Sequence, residues 1–143
     1  MIRIERSALI EYSPLQMFQL VQDVNSYPEF LSWCYKTELQ QDLADEQLAT
    51  LFVRFAGLEQ KFTTRNRLQR PEQVSMSLVS GPFHNLGGDW RFQALGDDGS
   101  KVILDLRFDF AHSMLSKAFE RGFAHVADRL VKDFCYRADQ VYG

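Results

Sequence analysis

The sequence predicts an α+β domain in which a curled, seven-stranded antiparallel sheet grips one long C-terminal helix. The first observation is the helix itself. Over residues 113–142, Leu115, Phe119, Phe123, Val126, Leu130 and Phe134 recur at steps of three and four, with Val141 after a longer gap, which is one apolar helical stripe. The other face carries Lys117, Glu120, Arg121, Asp128, Arg129, Lys132, Asp133 and Asp139. The second observation is that alternating segments joined by short turns fill the stretch from Cys34 to His112, as in an antiparallel meander. The third is a mismatch of widths. Seven strands about 4.8 Å apart make a sheet more than about 30 Å wide, whereas a helix is about 10 to 12 Å across. One helix covers such a sheet only if the sheet curls around it, which leaves an interior cavity.

Each element has its own signal. Residues 2–11 alternate Ile2, Ile4, Ala8 and Ile10 with Arg3, Glu5, Ser7 and Glu11 and read as a strand, although Arg6 and Leu9 break the pattern. Ser13-Pro14 supplies a cap and a proline for a short helix ending near Asp23, with Met17, Phe18, Leu20 and Val21 as its apolar side. Asn25-Ser26 is expected to cap a second short helix over Tyr27–Trp33. Six strands are then expected over 34–41, 46–56, 59–69, 73–80, 88–95 and 100–111, the last alternating Val102, Leu104, Leu106, Phe108 and Phe110 with Asp105, Arg107 and Asp109. Gly96-Asp97-Asp98-Gly99 is a hairpin turn by composition, and Gly81 to Gly88 reads as a loop.

A chain of 143 residues, 45% hydrophobic and 24% charged, is one globular domain with enough core to fold unaided. The formal net charge of -3 argues against a broad nucleic-acid-binding surface, and no DNA partner is expected. Cys34 and Cys135 lack metal or CxxC spacing, so reduced thiols and a cytoplasmic location are expected, with no metal. The N-terminus carries charges where a secretory signal needs an apolar run. Any membrane contact is expected to be peripheral, at the inner membrane.

Turn parity points to a site. In a meander the turns fall at alternate ends, so Tyr27, Phe30, Leu31, Trp33, Leu58, Pro82, Phe83, Leu86, Met114 and Leu115 gather at one rim, and charged residues gather at the other. An apolar rim is a ligand mouth, a partner surface or a membrane contact, unless its side chains fold back and cap the barrel. Trp90, Phe108, Phe119 and Phe123 are expected to line one enclosed space. Thr64 and Asn66 point inward among them, where a ligand head group, water or neighbouring side chains must satisfy them. On the outer side, Arg54, Lys61, Arg65, Arg67 and Arg70 concentrate on two neighbouring strands and suit phosphates or acidic lipid, as well as plain solvation. Catalytic signals are weak. His84, His112 and His125 are scattered, no nucleophile elbow or phosphate loop is present, and no catalytic residue is assigned.

Residues along the whole chain also carry a resemblance. Asp23-Val24, Tyr27-Pro28-Glu29-Phe30-Leu31, Trp33-Cys34, Gly81-Pro82-Phe83 with Leu86, Gly88 and Trp90, Phe134-Cys135, Arg137-Ala138 and the Val141-Tyr142-Gly143 ending resemble the coenzyme Q-binding START-domain family. This family is also labelled polyketide cyclase/dehydrase, and its bacterial branch includes ribosome-association toxins. Ser32 departs from it, since proline is common there. The resemblance implies a helix-grip fold (START/Bet v 1-like) without a catalytic cofactor. It also implies non-enzymatic binding of a polyprenyl quinone such as ubiquinone in support of respiratory electron transfer. The alternatives are a ribosome-binding regulator that blocks ribosomal subunit association, with the large ribosomal subunit as partner, and an aromatase or cyclase.

Overall fold

The computed structural model describes residues 1–111 and 116–143. Strand β1 (Ile2–Ile10) leads into helix α1 (Pro14–Gln22) and a 3-10 segment (Val24–Glu29). The meander follows as β2 (Cys34–Asp42), β3 (Glu46–Phe55), β4 (Leu58–Gln69), β5 (Gln73–Ser80), β6 (Phe83–Leu95) and β7 (Gly99–Phe110), and helix α2 (Lys117–Tyr142) ends the chain. The seven strands form one sheet in the order β1-β7-β6-β5-β4-β3-β2 with every pairing antiparallel. This is the predicted helix-grip architecture. Register shifts in β2, between Thr63 and Thr64, and between Phe83 and Asn85 add the local twist that lets a sheet curl.

Helix α1 begins as its sequence dictates. Ser13 Oγ accepts from the Gln16 N–H (3.2 Å), and Gln16 Oε1 accepts from the Ser13 N–H (2.8 Å), a reciprocal capping box. The second short helix differs from expectation. It spans Val24–Glu29, starts from Asp23 rather than Asn25-Ser26, and is 3-10 in type. Pro28 is the reason. It lacks an N–H and disfavours helical backbone at Tyr27, so the segment closes with short-range bonds from Ser26 N to Asp23 O and from Phe30 N to Tyr27 O. Phe30 to Trp33 therefore lie beyond it.

Strand β6 begins at Phe83, five residues before the expected start at Gly88, and Gly81-Pro82 alone makes the turn. Phe83 pairs with Phe110 and Leu86 with Phe108. The glycines that read as a loop serve a close approach instead, since a Cβ on Gly88 would sit 2.1 Å from Asp105 O and 2.9 Å from Leu106 Cα. Gly88→Ala is expected to lower stability by about 1 to 3 kcal/mol through overpacking. Urea denaturation followed by tryptophan fluorescence measures it, and an unchanged midpoint would contradict the contact.

Helix α2 is capped by Ser116, whose Oγ accepts from the Phe119 N–H (3.1 Å). The expected start over 113–115, with Met114 and Leu115, lies outside the described residues. The buried stripe is Phe119, Phe123, Ala127, Val131, Phe134 and Ala138, so Val126 and Leu130 fall on its flank, and Val141 is exposed. At its start the helix comes down hard on the sheet, where a Cβ on Gly122 would meet Phe55 at 2.9 Å. At its middle an ion pair joins Arg6 of β1 to Asp128.

Candidate functional site

Between the concave sheet face and the middle of α2 lies a cavity of about 90 Å³. Phe62, Thr64 and Asn66 of β4, Met76 of β5, Leu86 and Trp90 of β6, and Leu104 and Leu106 of β7 form one wall. Phe123, Val126, Ala127, Leu130 and Phe134 of α2 form the opposite wall, and Val24, Tyr27, Leu31, Trp33 and Leu51 close the side. Tyr27, Leu31, Trp33, Thr64, Asn66, Leu86, Trp90 and Phe123, all expected from sequence, thus meet at one space.

Phe108, Phe119, Phe83 and Phe30 do not line it. Phe108 is fully buried, its ring centroid 5.0 Å from Phe123 and 5.6 Å from Phe110. Phe119 packs on Phe55 at 5.1 Å. Phe83 packs between Phe62, Phe110 and Phe123 at 5.4, 5.5 and 4.9 Å. These rings pack against one another as an aromatic plug beside the first turns of α2, outside the cavity lining. Phe30 sits on the outer side of Tyr27 and Phe134 (6.0 and 5.1 Å), with the Arg137 guanidinium 5.0 Å over its ring.

The apolar rim is largely folded inward. Leu31, Pro82, Phe83 and Leu86 are buried, Tyr27, Phe30 and Trp33 are half-buried, and Leu58 remains exposed. The rim thus folds back over the barrel, with Tyr27 against Phe134 (5.4 Å), Trp33 stacked on Phe55 (5.9 Å) and Phe83 among Phe62, Phe110 and Phe123. His84 is exposed on β6 outside the cavity.

The inward polar residues are satisfied by protein. Thr64 Oγ1 donates to Asn66 Oδ1 (2.8 Å), Asn66 Nδ2 donates to Gln47 Oε1 (3.2 Å), and Gln47 Nε2 donates to Gln22 O (2.7 Å). Gln47, 1% exposed, was not expected from sequence, although it faces Asn66 in the β3–β4 register. Tyr27 donates its hydroxyl to Val21 O, and burial pushes its phenol far above the usual range. Trp33 Nε1 is buried without a hydrogen-bond partner among the described residues. The Cys34 thiol, also buried, is pushed up to about 11.

On the outer sheet face, register places Arg54, Lys61, Arg65 and Arg67 together. Two of them are engaged. Arg54 Nη2 pairs with Glu59 (2.8 Å), its guanidinium lying 4.7 Å over the Tyr35 ring, and Arg65 pairs with Glu46 (3.3 Å). Arg70 leaves the patch altogether, its guanidinium stacking 4.8 Å over the core ring of Phe18. Lys61 lies 5.8 Å over the Phe52 ring, and Arg67 has no ion-pair partner among the described residues.

Comparison with known proteins agrees with this architecture. Residues 10–135 match the family described as "Polyketide cyclase / dehydrase and lipid transport". The chain is 41% identical over 140 residues to "Ribosome association toxin RatA" of Pseudomonas aeruginosa, covering 98% of this chain and 97% of that protein. It is 25% identical over 133 residues to "Coenzyme Q-binding protein COQ10, mitochondrial" of Drosophila melanogaster, covering 90% of this chain and 55% of that protein. Among solved structures, a START superfamily protein from Mycobacterium smegmatis superposes with a TM-score of 0.80 at 16% identity, covering 97% of this chain and 98% of that one, which supports the fold alone. No helix among the described residues is long and apolar enough to cross a membrane. The match over residues 10–135 and the near-complete overlap with the Pseudomonas protein lead to one assignment: the chain belongs to the polyketide cyclase / dehydrase and lipid transport family.

Proposed function

We propose that this chain is a ribosome-binding regulator that interferes with the association of ribosomal subunits. The observation that carries this reading is 41% identity, over nearly the full length of both chains, to a protein named for ribosome association. The geometry favours it over a quinone carrier. Pockets that hold ligands of drug size are about 300 to 1,000 Å³, while the cavity here is about 90 Å³ and its Thr64–Asn66–Gln47 chain is already satisfied. Tyr27 is the one ionisable side chain among the described cavity-lining residues, and its hydroxyl is committed to Val21 O. That gives a cyclase reading little to work with.

The test is sedimentation of the purified chain with isolated ribosomal subunits. Co-migration with one subunit and a smaller fraction of assembled ribosomes are expected, with binding that weakens as salt rises. Free migration alongside both subunits at low salt would end this reading. A second reading, binding of an apolar ligand such as ubiquinone, is favoured by the apolar lining and the unpartnered Trp33 Nε1, a donor suited to a carbonyl oxygen. It requires the cavity to open. Titration with a short-chain ubiquinone, read by quenching of Trp33 and Trp90 fluorescence, would establish this reading by saturable quenching and remove it by none.

A further inference from the structure

A chain with a net charge of -3 has no general attraction for a polyanion, so any phosphate contact must come from a local surface. Helix α2 separates its charges in a way the sequence alone does not reveal. On its exposed side Lys117, Arg121, His125 and Arg129 follow one another at four-residue steps, about 6 Å apart along the axis. Lys132 and Tyr136 continue the same face, and Tyr136 is 74% exposed.

The carboxylates of the helix are turned aside or engaged. Asp128 is held by Arg6. Asp139 accepts from the Tyr12 hydroxyl (2.8 Å). Asp133 is half-buried, and burial pushes its carboxyl up against the opposing pull of Arg129 and His125. Glu120 is half-buried on the flank. None of the ion pairs among the described residues includes Lys117, Arg121, Arg129 or Lys132, and residues 112–115 contain no carboxylate. The outer sheet face offers less free charge, because Arg54 and Arg65 are already paired there.

Resting on the ribosome-binding reading, we propose that the exposed ridge of α2, formed by Lys117, Arg121, Arg129, Lys132 and the Tyr136 ring, docks on the phosphate backbone of ribosomal RNA. Cations repeating along a convex helix suit a phosphate track, and an exposed aromatic at its end offers a stacking surface for an unpaired base. Protein partners are recognised through an apolar interface centre. None of the described residues exposed between Lys117 and Lys132 is a large apolar group.

The experiment compares the full chain with two triple variants, Arg121→Gln/Arg129→Gln/Lys132→Gln on the ridge and Lys61→Gln/Arg65→Gln/Arg67→Gln on the sheet. Binding to intact ribosomal subunits and to protein-free ribosomal RNA is measured between 50 and 200 mM salt. Each lost phosphate contact removes about 0.7 to 0.9 from the slope of log affinity against log salt, so the ridge variant should lose roughly 20- to 40-fold of the affinity change across this range on both partners. The sheet variant should change much less. Arg121→Lys/Arg129→Lys keeps the charge and should keep binding, and thermal melting by circular dichroism identifies any variant that has unfolded.

A folded ridge variant with unchanged affinity and salt slope on subunits overturns the proposal. So does loss on subunits without ridge-dependent binding to free RNA, which would assign the ridge to a ribosomal protein. If the unmutated chain binds no subunit, the ribosome-binding reading itself fails, and this inference falls with it.

Discussion

Phe123→Ala is expected to lower the unfolding free energy by about 3 to 5 kcal/mol, the range for removing a large aromatic from a packed core. Phe123 stands where the solid and hollow parts of the interior meet. Its ring contacts Phe83 at 4.9 Å, Phe108 at 5.0 Å, Phe110 at 5.8 Å, and Phe55 and Phe62 at 6.1 Å, yet it also borders the cavity. Edge-to-face pairs add to the area term, and the plug around it is too crowded to collapse into the gap. Leu130→Ala provides the contrast, because a side chain facing empty space has fewer contacts to lose. Urea denaturation followed by tryptophan fluorescence should give the larger loss for Phe123. A loss below that of Leu130→Ala would mean that the space reaches into the plug.

Asn66→Leu is expected to cost about 2 to 6 kcal/mol, since it leaves two buried polar groups without a partner at about 1 to 3 kcal/mol each. The substitution leaves the Thr64 hydroxyl without its acceptor and Gln47 Oε1 without its donor, in a space whose other surfaces are almost wholly apolar. Gln47→Leu/Asn66→Leu removes both members of the central bond and should cost less than the sum of the two single changes. Additive losses would mean that water, and not the neighbouring side chain, satisfies Asn66.

These two residues mark where the sequence was legible. Inward placement of Thr64 and Asn66 followed from strand alternation, because lysine and arginines occupy the intervening exposed positions. Their partner did not follow, because Gln47 lies on another strand and only the β3–β4 register brings it opposite Asn66. The two cavity walls were legible in the same partial way. Leu104 and Leu106 share the parity of Phe108, and Ala127, Leu130 and Phe134 follow Phe123 at helical spacing. Periodicity names a buried face, however, and does not tell a packed stretch of it from a hollow one. The packed stretch is that around Gly122, where any Cβ would lie 2.9 Å from the Phe55 side chain. The apolar rim failed for a related reason. Turn parity placed Phe83 and Leu86 at the correct end, but the extension of β6 back to Phe83 turned both inward. On the outside, composition counted arginines without seeing that Glu59, Glu46 and the Phe18 ring already engage three of them.

The pairing of β1 with β7 has a consequence for the order in which the molecule assembles. Arg3 and Asp105 meet across 102 positions of sequence, so β1 has no strand neighbour until β7 has been made. Closing so long a loop costs entropy before any contact repays it, and topologies rich in distant contacts are slow to fold. During synthesis the antiparallel neighbours from β2 to β7 are each available to pair as they emerge, whereas β1 has no pairing partner before β7. α2, which follows β7, fills the trough and ties β1 down through Arg6 and Asp128. Chains that end before β7 should therefore be held in a partly folded, association-prone state.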